Sequence, residues 1–319
     1  MKRILSCLII LLLAVVLADG RTVEMTLHPA KAPKPAQKYL LLPKVEEQAD
    51  ADAMPLYEKA VQLLPEDFQM DQISQWLKAS PSKFPRQQVQ STLEQFRPIL
   101  QLLEQAAKCR QCDWPYWDSD TISQYLRKYR GLMYFLALQM RLQIAQGEFD
   151  RAIGTVRTGF AMAKHMGKGH TFLHGLFGVG TGGFVCGQLE QFVQRRNAPN
   201  LYWALRGLPR PFIDLTGRSE FDDPDYREMA RLLMNRLDRH VAALQCVEAL
   251  RLYAAHEGKF PKELSRITEV LVPSDPVMQK PFVYRCTGSG AVLEAPAPEG
   301  ATERDAKRYA IRYELSLKE

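Results

Sequence analysis

"LRLYAAHEGKFPKEL", residues 250–264, runs as an apolar helix and then breaks at Gly258, with Phe260 and Pro261 directly behind. Glycine adopts the left-handed backbone that closes a helix without a Cβ penalty, and a proline just beyond prevents the helix from resuming. The stretch therefore marks the end of a helix and predicts Phe260 as an aromatic anchor folded back onto it. Upstream, Met229, Leu233, Leu237, Val241, Leu244, Val247, Leu250 and Ala254 recur at helical steps, so one continuous apolar stripe predicts a helix over 224–257. Downstream, "PFVYRC" (281–286), "GAVLEAP" (290–296) and "RYAIRYELSL" (308–317) are short, β-branched and aromatic, and predict the two or three strands of a small antiparallel sheet.

Toward the N-terminus the texture is helical. "ADAMPLYEKAVQLL" (51–64) and "FPRQQVQSTLEQFRPILQLLEQAAKC" (84–109) carry apolar residues at helical spacing, with a bend expected at Pro98. A long helix opens at Ser119 or Asp120, breaks for one residue at Gly147, and a second follows from Glu148 to Met166, giving a helical hairpin. A third apolar segment covers 171–194, and "PNLYWALRGL" (199–208) makes a short fourth. Residues 21–49, rich in Pro and Lys, read as an extended linker with a short strand at "KYLLL" (38–42). The predicted organisation is a signal peptide at 1–20, a linker at 21–49, a helical domain at 50–220, and a long helix plus small antiparallel sheet at 221–319.

Lys2 and Arg3 precede an apolar run from Ile4 to Ala18 and then small and polar residues, the layout of a secretory signal. The run is shorter than the roughly 20 residues of a transmembrane helix, so cleavage near Ala18 to Gly20 is expected, an uncleaved anchor being the alternative. Cys7 lies too early in the run for lipid attachment. The formal charge of +6 includes Lys2 and Arg3, and the remainder is dispersed, which argues against nucleic acid. "RQQVQ" (86–90) and "RLLMNRLDRH" (231–240) read as solvated helix faces.

"CRQC", Cys109 to Cys112, allows a redox disulfide, half a zinc site or a structural disulfide. A helix precedes it and "DWPYW" follows, the reverse of a thioredoxin-like setting; Asp113 replaces the histidine of a haem motif. A structural bridge is the expected state of an exported chain. His165, His170 and His174 in "HMGKGHTFLHG" lack the glutamate of a zinc helix, Thr171 standing in its place. Gly178, Gly180 and Gly183 of "GVGTGG" match a dinucleotide fingerprint in form, but no strand precedes them, and a ridge for close helix packing is expected. The acidic residues of "DDPDY" (222–226) and Asp113, Asp118 and Asp120 are close enough to hold Ca²⁺ or to act as acid and base, but the first group, ahead of the long helix, reads as a cap that meets the helix dipole. No nucleophile elbow occurs. The sequence thus assigns no catalytic, cofactor-binding or metal residue, and no cofactor.

Three resemblances add to this reading. "YFLALQMRLQIAQGEFDRAI" (134–153) resembles one tetratricopeptide unit, through Ala137, Gly147, Phe149 and Ala152. "KYLLLPKVEEQADADAMPLYEKA" (38–60), "CRQCDWP" (109–115) and "NAPNLYWALRGLPRPFIDL" (197–215) resemble an uncharacterised family of exported bacterial helical proteins. Gly258, Phe260, Pro261, Leu264, Asp275, Pro276, Pro281 and Tyr284 resemble the C-terminal half of a type II secretion pseudopilin, although a large helical domain intervenes and the calcium loop has no counterpart. Together these imply a mainly α fold: a tetratricopeptide-like hairpin domain, then a long helix and a small pseudopilin-like α+β module. The function expected is an exported, periplasmic or extracellular envelope protein that binds a protein partner or acts as a scaffold. An envelope hydrolase or metal-dependent enzyme, and a pseudopilin-like secretion subunit, are the alternatives. Membrane contact is expected only through an uncleaved leader.

Overall fold

The computed structural model describes residues 22–65, 70–115, 119–216, 224–288, 290–297 and 310–318. The leader at 1–20, the boundary expected at 220–221, Asp118, Asp222 and Asp223 lie outside the described residues. The chain divides into two compact units, one formed by residues 1–39, 189–212 and 228–319, the other by 40–188 and 213–227.

The second unit is helical. Helices α1 (Met54–Gln62), α2 (Met70–Lys78), α3 (Arg86–Gln95) and α4 (Arg97–Ala106) precede a long hairpin of α5 (Ser119–Gln146) and α6 (Phe149–Gly167). Pro98 sits in the first turn of α4, and the chain bends at Phe96 between α3 and α4. Gly147 turns the hairpin with φ +76°, and the Glu148 amide donates to the Gln143 carbonyl at 2.9 Å. Helix α7 (Phe172–Phe192) is largely buried and has no single apolar face. Its "GVGTGG" is helical, and a Cβ on Gly178 would lie 2.8 Å from the Ala163 carbonyl and 2.9 Å from the Gly167 amide. That glycine lets two helix backbones touch. A two-stranded parallel ribbon, β2 (Ala49–Asp52) with β3 (Cys109–Gln111), closes the unit.

The first unit holds a four-stranded sheet in the order β1-β8-β7-β6, of β1 (Thr22–Leu27), β6 (Val283–Thr287), β7 (Gly290–Ala295) and β8 (Ile311–Leu317). A hairpin of β4 (Ser274–Asp275) and β5 (Lys280–Pro281) precedes β6. Against one face pack Ala242, Cys246, Val247 and Leu250 of the long helix α9 (Pro224–Glu257), with short α8 (Tyr202–Arg206) joining the same core. Met25 and Leu27 of β1, Leu293 of β7, and Tyr313 and Leu315 of β8 point inward. The outer face carries Arg285, Glu294, Arg312 and Glu314 as a cross-strand ladder of ion pairs.

The mainly α expectation is corrected: the architecture is α+β, with a mixed rather than purely antiparallel sheet. Strand β1 lies inside the expected linker and pairs parallel with β8, Thr22 opposite Arg312 through Leu27 opposite Leu317. "TVEMTL" alternates with period two, which buries Met25 and Leu27 and half-buries Val23. The prolines and lysines that follow hid this signal, and "KYLLL" forms no strand. The solvated reading of "RLLMNRLDRH" is also overturned at Arg239, which is fully buried.

Candidate functional site

The helical unit gathers the two motifs that sequence singled out. Helix α4 delivers Cys109 to the ribbon, where the Ala49 amide donates to the Lys108 carbonyl at 2.8 Å and the Ala53 amide to the Gln111 carbonyl at 3.0 Å. Asp52 accepts from the amides of Met54 and Asp113, each at 2.9 Å, and so fixes the loop after Cys112. The last turn of α6 meets this loop. His165 Nε2 donates to the Cys109 carbonyl at 3.1 Å. Because a carbonyl only accepts, the proton of a neutral ring resides on Nε2, and Nδ1 accepts from the Tyr57 hydroxyl at 2.9 Å.

Trp114 extends the cluster. Its indole donates to the His165 carbonyl at 2.9 Å, and its own carbonyl accepts from His170 Nε2 at 3.0 Å. Its ring lies 4.8 Å from His174 and 5.3 Å from Tyr129, centroid to centroid. His174 Nδ1 pairs with the Thr171 hydroxyl at 2.9 Å. Sequence reasoning found the cysteines and histidines but missed Tyr57, Tyr129 and Trp114. The aromatic density of "CDWPYW" was the available signal.

The expected Cys109–Cys112 bridge is absent: both thiols are free and buried. The chain from Cys109 through Gln111 is extended strand, so three residues span about 10 Å, beyond the roughly 7 Å Cα separation that a disulfide tolerates. Burial, reinforced by Asp52, pushes both thiols above their ordinary range. Neither is held as a nucleophilic thiolate. Among the described residues no three His, Cys, Asp or Glu side chains are grouped to hold a metal. Cys109, Cys112, His165 and His174 are buried around Trp114 and Tyr57, with His170 exposed at the edge of the cluster. We expect a charged thiol reagent at neutral pH to label Cys286 first, since it is the only partly exposed cysteine among the described residues. Native labelling of Cys109 or Cys112 at the same rate, read by mass spectrometry, would contradict this.

Burial, with a smaller push from Lys168, lowers His165 from an ordinary value of 6.5 to about 4. The unfolded chain then takes up a proton before the folded one as pH falls. Stability from the neutral ring is complete above pH 6.5 and is lost progressively as pH drops toward 4. A shift of this size corresponds to roughly 3 kcal/mol. Urea midpoints at neutral pH and near pH 4.5 should show this fall, and His165→Gln, which keeps a donor and an acceptor, should flatten it. An unchanged slope in that variant would remove His165 as the cause.

The other unit contains polar clusters that the sequence did not reveal. Glu248 and Arg251 are fully buried, 2.8 Å apart. Glu248 also accepts from Asn200 Nδ2 at 2.8 Å and the Leu201 amide at 3.0 Å, and burial raises its carboxyl above the ordinary range. Arg251 donates to the His28 carbonyl at 3.0 Å and the Ala198 carbonyl at 2.8 Å. Glu190 accepts from the Tyr313 hydroxyl at 3.0 Å and pairs with His240 at 2.9 Å. These contacts tie the N-terminal segment, the end of α7, the loop before α8, α9 and β8 together. In the helical unit a seam among Met133, Met140, Gly159, Thr181, Phe184 and Gln188 leaves no room for a water molecule.

No family model, curated protein or solved structure matches the chain. Among the described residues no helix is long and apolar enough to cross a membrane.

Proposed function

We propose that the chain is an exported cell-envelope protein whose role is to bind a protein partner or to scaffold one. Export is supported by Lys2, Arg3 and the apolar run Ile4 to Ala18. Binding is supported above all by strand β6, an outer strand of the sheet. Among the described residues no backbone hydrogen bond reaches its outer side, and Val283 is 40% exposed. Leu271, in the loop before β4, is 71% exposed. An open strand edge bearing an exposed apolar residue suits addition of a partner strand. Mass analysis of the envelope form should place the N-terminus between residues 19 and 21. A photo-crosslinking residue at position 283 should give one discrete adduct in cells, lost in Leu271→Lys. An intact Met1 in a soluble product refutes export, and no adduct at 283 refutes the binding edge.

A second reading, a pseudopilin-like secretion subunit, draws on α9 ending at Gly258 against the sheet. Assembly into filaments favours it; a monomer at every concentration excludes it.

A further inference from the structure

The basic residues look dispersed along the chain, but the fold of the sheet-containing unit concentrates them. Residues 28–39 contain Lys31, Lys34 and Lys38 and no Asp or Glu; residues 195–212 contain Arg195, Arg196, Arg206 and Arg210 and no Asp or Glu. One buried guanidinium joins the two runs, because Arg251 donates to the carbonyls of both His28 and Ala198. Asn200 Nδ2 adds a contact to the Ala30 carbonyl at 3.5 Å. The nearest acid in this junction, Glu248, is already engaged by Arg251. Lys31, Lys34, Arg196 and Arg206 are exposed, and no ion pair among the described residues involves them.

We infer that this surface docks on an anionic phospholipid bilayer. Two features of the surface favour a bilayer over other polyanions. Pro29, Pro33 and Pro35 keep the lysine run free of helix and strand, so its side chains project outward. Trp203 is half-buried within the arginine run, with the Arg206 guanidinium 5.2 Å from its ring centroid, an aromatic and cationic pairing suited to the headgroup level. The proposal also rests on the envelope reading, which puts the protein beside a membrane. Each basic side chain brought to such a surface contributes about fivefold in partitioning.

The test is vesicle co-sedimentation of the full chain, comparing phosphatidylglycerol-rich vesicles with phosphatidylcholine vesicles. Lys2 and Arg3 of an uncleaved leader would also favour the anionic vesicles, so the deciding comparison is between variants that share the same leader. The ratio should exceed tenfold by order of magnitude, and should collapse near 1 M salt, where the screening length falls to about 3 Å. Lys31→Gln with Lys34→Gln should lower it roughly 25-fold or to unity, and Arg206→Gln about fivefold. Lys31 and Lys34 are exposed, so thermal melting of their double variant should be unchanged. The control, Lys259→Gln with Lys262→Gln, changes the same net charge beside Glu257 and Glu263 and should leave the ratio intact. A wild-type ratio near one overturns the proposal. So does an equal loss in the control, which would make net charge the cause. Retention on an oligonucleotide or heparin matrix without vesicle binding overturns the choice of a bilayer. An intact Met1 would refute export and leave a positive vesicle result standing.

Discussion

Asp275→Ala should destabilise the sheet-containing unit by about 3 to 5 kcal/mol, because it removes the two-pronged carboxylate partner of a fully buried guanidinium. Arg239 donates from Nε to Oδ1 at 2.9 Å and from Nη2 to Oδ2 at 2.6 Å, a two-pronged contact between side chains 0% and 2% exposed. Asp275 also accepts the Val277 amide at 2.9 Å, and its carbonyl accepts the Gln279 amide at 2.8 Å, so the same residue shapes the turn between β4 and β5. Truncating the carboxylate leaves a guanidinium without water and a turn without its acceptor. Arg239→Met with Asp275→Leu removes both charges and should recover much of the loss, since the pair's Coulomb gain is largely offset by desolvation. Urea midpoints of the single and double variants measure both effects. A single-variant cost below about 1 kcal/mol would mean that water reaches Arg239.

That ion pair shows where sequence reading stops. Asp275 carried part of the pseudopilin resemblance, but its partner Arg239 sits on α9, inside a stretch whose charged residues read as a solvated face. Periodicity assigns a residue to a face and cannot say that one arginine on that face is buried by a loop arriving later in the chain. The same limit concealed Glu248, Arg251 and Asn200, whose contacts bridge distant segments. The long helices were legible because their stripes are local, and Gly147 and Gly258 were legible because a turn or stop has its own chemistry. Strand β1 was not: six residues of alternation, followed by prolines, carry little signal until β8 supplies a partner. The cysteine and histidine motifs were legible as a list of side chains. Their meeting on Trp114 and Tyr57, and the suppressed ionisation of Cys109, Cys112 and His165 that burial brings, were not, because burial is a property of the whole unit.

Phe260→Ala should cost about 3 to 5 kcal/mol, the range for an aromatic removed from a close-packed core. Helix α9 ends at Glu257, and Gly258 follows with φ +69°, its amide donating to the Ala254 carbonyl at 2.9 Å. This left-handed residue reverses the chain and delivers Phe260 to the inner face of the sheet, where it is 4% exposed among Leu250, Phe282, Leu293 and Tyr313. The Tyr284 hydroxyl donates to the Pro261 carbonyl at 2.9 Å and locks the same turn from the strand side. Nothing lies within 4 Å of a Cβ built on Gly258, so Gly258→Ala meets no clash and pays only for backbone strain, about 1 kcal/mol. The two variants therefore separate anchor from turn. Phe260→Ala should lower the urea midpoint several times as far as Gly258→Ala, and Phe260→Leu should fall between them by keeping part of the buried surface. Equal losses from the glycine and the phenylalanine would mean that the turn, rather than the ring, holds the helix to the sheet.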